Sequence, residues 1–173
     1  MGQLIALVNT DDVIVGYEEK QLVHSHGLLH RAFSIIILNS KGELLLQKRA
    51  FGKYHSAGLW TNTCCSHLPK GFEMEPYAHQ RLGEEMGFDC EFKYIKAFHY
   101  SVDFQDGMIE NEIDHIYLGF FEGIPSPDSM EVCDWKWIGI KELKEDVLAN
   151  PNLYTYWFRF IVENHLNAIE NLI

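Results

Sequence analysis

Chemistry concentrates first in Gly58-Leu59-Trp60-Thr61-Asn62-Thr63-Cys64-Cys65-Ser66-His67, where two thiols and an imidazole fall within four positions behind an indole. In an extended segment residues two apart share a face. Cys65 and His67 are therefore expected to face a site and Cys64 to face the core, although free cysteine is also among the most buried residue types. Glu110 and Glu112 flank Asn111, and the same spacing puts both carboxylates on one side of an extended chain. His24 and His30 lie in a polar stretch, with His26 between them as an alternative to His24. Three imidazoles and two carboxylates make a five-ligand set hard enough for Mg2+ or Mn2+ and tolerant of Zn2+. Lys20, Arg49, Lys53 and Arg81 fall near turns or helix faces beside these candidates. An arginine fork and lysine point charges suit a diphosphate, and they also suit a solvated surface.

These residues need a scaffold. Leu4 to Val8 and Val13 to Tyr17 read as a hairpin around Asn9-Thr10-Asp11-Asp12. Glu18 to Arg31 is polar. Ala32 to Leu38 is a buried strand by length and composition, Asn39 to Gly42 a turn, and Glu43 to Arg49 the returning strand. Phe51 to Leu59 reads as a loop. Pro76 to Met86 is a helix, with proline in its first turn and Gly87 just past its end; Gly83 inside it costs roughly 1 kcal/mol against Ala and has no account beyond close packing. Glu91 to Ser101 and Ile113 to Glu122 read as strands, with a polar loop over 103–112. Asp134 to Ile140 is a final strand and Ile140 to Ala149 a short helix. One longer helix is expected from Tyr154 to the C-terminus. The fold class is α/β (α+β), a mixed β-sheet sandwiched between α-helices, in one domain over 1–173 that includes the hairpin 1–17 and the helix 153–173.

A chain of 173 residues can bury a core without disulfides. Its net charge of −11 disfavours a duplex nucleic-acid partner but leaves room for a small anion held by local cations. No apolar run reaches membrane-span length, and the first residues carry no signal-peptide pattern. Four cysteines, two of them adjacent, make a poor disulfide framework, so a reducing, cytoplasmic location is expected. The oligomeric state stays open, with a monomer compatible.

The run Thr61-Asn62-Thr63-Cys64-Cys65-Ser66-His67 closely resembles the catalytic segment of type I isopentenyl-diphosphate isomerases of the Nudix superfamily. Other segments match in the same order: Glu19-Lys20-Gln21-Leu22-Val23-His24, Leu29-His30-Arg31-Ala32-Phe33-Ser34, Arg49 with Lys53, Gly58-Leu59-Trp60, Arg81 to Gly87, Phe98-His99-Tyr100, Glu110 to His115, and Tyr156-Trp157. The resemblance implies that His24, His30, His67, Glu110 and Glu112 hold one divalent metal and that Glu85 helps hold a diphosphate-bound Mg2+. It implies diphosphate contacts from Lys20, Arg49, Lys53 and Arg81, and an acid/base pair in Cys65 and Glu112, with Tyr100 and Trp157 in the pocket. The implied substrate is isopentenyl diphosphate, and the implied reaction is an allylic proton shift giving dimethylallyl diphosphate.

Hydrolytic Nudix enzymes carry an Arg-Glu pair ahead of their helix glutamates. Here Gln80-Arg81 stands in that place and Phe72 replaces an earlier glutamate, which argues against pyrophosphohydrolase chemistry. The isomerases usually hold Phe-Pro or Trp-Pro before Gly58. Ser56-Ala57 stands here, so a looser loop is expected.

Overall fold

The structure, a computed structural model, describes residues 2–53, 55–104 and 107–172. In chain order the strands are β1 (Leu4–Val8), β2 (Ile14–Glu19), β3 (His30–Leu38), β4 (Glu43–Arg49), β5 (Trp60–Thr61), β6 (Cys64–His67), β7 (Phe92–Asp103), β8 (Ile109–Phe120) and β9 (Val132–Gly139). The helices are α1 (Lys20–His26), α2 (Met74–Met86), α3 (Ile140–Ala149), α4 (Tyr156–Asn164) and α5 (Leu166–Glu170).

β3 is the axis. It pairs in parallel with β8 along its full length, His30 against Glu112 through Leu38 against Phe120. Its other edge meets β6 antiparallel, Ala32 against His67 and Ser34 against Cys65, and turns into β4 at Leu38. The hairpin β1–β2 and the pair β7–β8 extend the sheet on either side. Both faces of β3 are covered. Phe33, Ile35 and Ile37 pack with Cys64, Ala78, Leu82 and Met86 beneath α2. Ile36 and Leu38 pack with Leu143, Phe158, Ile161 and Leu166 beneath α3, α4 and α5. Each such fully buried aliphatic side chain contributes roughly 1.5–3 kcal/mol. The start of the second face is polar instead: His30 and Ser34 lie there, beside Glu112 and Asp114, which stand opposite His30 and Ala32 on β8.

Several expectations need correction. The stretch 103–112 is not all loop. β8 begins at Ile109, so Glu110 and Glu112 belong to the strand; residues 105 and 106 lie outside the described residues. The C-terminal helix is two helices, divided at His165, whose φ of −128° leaves the helical range. The polar stretch before β3 contains α1, which ends at Gly27 with φ 60°. Among the described residues no helix is long and apolar enough to cross a membrane.

Two glycines have opposite reasons for being there. Gly27 combines a left-handed φ with close approach, since an added Cβ would stand 2.9 Å from Ile109 Cγ2. Gly83 does not support close packing: an added Cβ would meet nothing within 4 Å. Gly83→Ala should therefore stabilise by roughly 0.5–1 kcal/mol. Gly27→Ala should destabilise by about 1 kcal/mol or more. Opposite shifts in the midpoint of thermal unfolding, of roughly 2–4 °C per kcal/mol, would bear this out.

Candidate active site

Three elements converge around β3. β8 presents Glu110, Glu112 and Asp114 on one face, β6 presents Cys65 and His67, and α1 delivers His24. The chain is held in place locally: the Asn111 side-chain amide donates to the Gly27 carbonyl at 2.9 Å, tying the end of α1 to β8. His24 is fully buried, whereas His26 lies exposed on the same helix. Ligand atoms of His24, His30, His67, Glu110 and Glu112 all lie within 4.8 Å of one another. Glu110 Oε2 stands 3.2, 3.6 and 3.8 Å from Nε2 of His24, His30 and His67. Glu112 Oε1 stands 3.3 Å from Nε2 of His30 and 2.8 Å from that of His67.

The rings are aimed. His24 Nδ1 donates to the Lys20 carbonyl at 2.6 Å, and His30 Nδ1 donates to the Leu28 carbonyl at 2.8 Å. Both bonds leave Nε2 directed at the carboxylates, as a metal-holding imidazole requires. Glu110 Oε2 and His30 Nε2 are buried without a hydrogen-bond partner among the described residues. Burial favours protonation of Glu110, but the facing imidazoles of His24, His30, His55 and His67 outweigh it and hold its carboxyl well below the usual range. Burial likewise opposes charge on His30, yet Glu110 and Glu112 raise it to about 10. Burial and the charge of Lys20 keep His67 below its ordinary value. The donor set is compatible with a divalent metal, whose binding would displace protons from the histidines.

Beside this cluster opens a cleft of about 520 Å³ including its mouth. Lys20, Arg49, Lys53 and Arg81 line it, with Cys65, Tyr100, Glu85 and Trp157. His24 and His30 sit behind its wall, fully buried. Burial pushes the Cys65 thiol up to about 12, against the pull of the Arg49 guanidinium. The Tyr100 hydroxyl donates to Glu112 Oε2 at 2.6 Å. Cys64, fully buried beneath α2, faces the other way. Glu85 stands apart from the five-residue cluster. Its two oxygens accept from Arg81 at 2.5 Å and from Gln47 at 2.8 Å.

Sequence reasoning missed four neighbours. His55 reaches Glu110 Oε1 at 3.0 Å from a loop without periodicity, so the loop expected to be looser carries a buried anchor. Glu131 pairs with both Lys53 and Arg81. Ser34 donates to Asp114 at 2.8 Å beside Cys65. The alternation Glu110, Glu112, Asp114 was the available signal for the last pair.

A NUDIX domain model matches residues 28–158. The isopentenyl-diphosphate Delta-isomerase of Serratia proteamaculans is 46% identical over 164 residues, covering 95% of this chain and 92% of that protein. The one from Burkholderia multivorans is 48% identical over 164 residues, covering 94% and 93%. This chain belongs to the isopentenyl-diphosphate Delta-isomerase family of Nudix proteins. The crystal structure of DR0079 from Deinococcus radiodurans superposes with a TM-score of 0.78 at 16% identity, covering 93% of this chain and 98% of that one, which shows the shared Nudix fold.

A metal at the cluster should stabilise the fold by mass action, by about 2.7 kcal/mol at a hundredfold excess over Kd. Thermal unfolding with Mn2+ should therefore shift upward by roughly 5–10 °C. Glu110→Gln should lose that shift, its unfolding midpoint being the same with and without Mn2+.

Proposed function

We propose that the chain interconverts isopentenyl diphosphate and dimethylallyl diphosphate by an allylic proton shift. The observation that carries this reading is the meeting of Cys65 and Glu112, from strands on either side of β3, in one cleft lined by four cations.

Lys20, Arg49, Lys53 and Arg81 bind the diphosphate. They concentrate positive charge locally on a chain of net charge −11, and Arg49 and Arg81 offer planar forks that match phosphate oxygens. That binding energy is remote from the reacting carbons and orients the alkene. A metal held by His24, His30, His67, Glu110 and Glu112 (Mg2+, Mn2+ or Zn2+) would supply positive charge that lowers the proton affinity of Glu112, and a Mg2+ held beside Glu85 would offset the charge of the diphosphate.

Cys65 and Glu112 move the protons. One gives a proton to the terminal methylene carbon of isopentenyl diphosphate, forming a tertiary carbocation, and the other removes one from the neighbouring carbon. Burial keeps Cys65 protonated, while hydrogen bonds from His30 and His67 outweigh burial and the charge of Glu110 to keep Glu112 ionised. Tyr100 fixes Glu112 through its 2.6 Å bond. Trp157, 5% exposed, presents an indole face already occupied by Arg49 at 5.3 Å, and that face stabilises cationic charge. The aromatic wall of Tyr100 and Trp157 excludes water that would trap the cation. The four described cysteines are free, in keeping with a cytoplasmic enzyme.

The test is a proton NMR time course with isopentenyl diphosphate in deuterated water after metal reconstitution. Dimethylallyl diphosphate should appear with deuterium in a methyl group. Cys65→Ala and Glu112→Gln should each lower the rate at least ~10²-fold with the fold retained. No conversion by wild-type protein, or near-normal rates in either variant, would overturn the reading.

A further inference from the structure

His55 belongs to no element of the sheet, yet it is only 7% exposed. Its ring stacks on Phe104, with centroids 5.7 Å apart and planes 18° apart. It also meets Trp157 edge-on, 5.8 Å away at 87°. Its Nδ1 lies 3.3 Å from the Ser56 hydroxyl oxygen, and Ser56 itself takes a positive φ of 52°. The local backbone is thus set in an uncommon conformation for a non-glycine residue, and that conformation accompanies a buried ring.

The division of labour at Glu110 shows what the ring does. Oε2 faces His24, His30 and His67, whereas Oε1 faces His55 Nε2 at 3.0 Å. His55 is outside the five-residue cluster, and its ring lies 6.2 Å from that of His24. At its other end, the His55 carbonyl accepts from Arg49 Nη2 at 3.2 Å. One residue therefore fixes a carboxylate of the cluster and a cation of the diphosphate wall.

We propose that His55 is a positioning residue for the metal centre, holding Glu110 Oε1 so that Oε2 stays directed at the three imidazoles. A carboxylate without that partner can rotate, and the ordering must then be supplied on metal binding. Loss of such outer hydrogen-bond partners costs roughly 10–100-fold in metal affinity. The inference rests on the reading of the cluster as a metal centre.

The experiment is a Mn2+ titration of metal-free full-length protein, read by the EPR signal of free Mn2+, for wild type, His55→Leu and His55→Gln. The two substitutes are similar in volume, and only Gln can donate to Glu110. Matching circular dichroism is confirmed first. The expected result is binding weakened roughly 10–100-fold in His55→Leu and largely recovered in His55→Gln. Equal affinity in His55→Leu and wild type would overturn the inference. Equally weak binding in both variants would also overturn it, because ring packing rather than the donated bond would then be responsible. Wild-type protein that takes up no Mn2+ would instead sink the metal-centre reading itself, and this inference with it.

Discussion

Glu110 and Glu112 place two carboxylates side by side on one strand face, 2% and 5% exposed, and much of the surrounding structure answers that constraint. Isolated charge in a protein interior is costly, and removing one partner of a buried pair typically costs 3–5 kcal/mol. Four imidazoles face Glu110, two of them also face Glu112, and Tyr100 completes the second carboxylate. Much of that compensation comes from histidines, whose protons a divalent cation can replace.

The sheet makes the arrangement possible. β3 pairs with both β8 and β6. Side chains at alternating positions of the three strands therefore share a face, and Cys65, His67, Glu110, Glu112 and His30 meet without a long loop. Along that face the polar residues give way to Ile36 and Leu38 under the C-terminal helices. Packing at one end of β3 thus anchors the chemistry at the other. On the opposite face Cys64 is buried beneath α2, which explains adjacent cysteines with unlike surroundings.

Much of this was legible from residue type and spacing. The apolar run ending at Leu38 marked β3, and the period of two separated Cys64 from Cys65. Other parts were hidden for physical reasons. Glu110-Asn111-Glu112 reads as loop because charged and amide residues are depleted in strands; they occupy β8 because histidines and a tyrosine compensate them. α1 has no side-chain N-cap and is only seven residues long, so it lacks the usual start signal and is held by Gly27, Asn111 and β8. The break at His165 follows no proline or glycine. His55 and Glu131 lie in irregular segments, where no period marks a side chain that turns inward.

The central claim is that the carboxylates of β8 and the three histidines form one divalent metal centre. Anomalous diffraction from crystals grown with Mn2+ tests it most directly. The account predicts a strong anomalous peak where Nε2 of His24, His30 and His67 converges with the carboxylate oxygens of Glu110 and Glu112. Ordered density for all five side chains with no peak among them would contradict it.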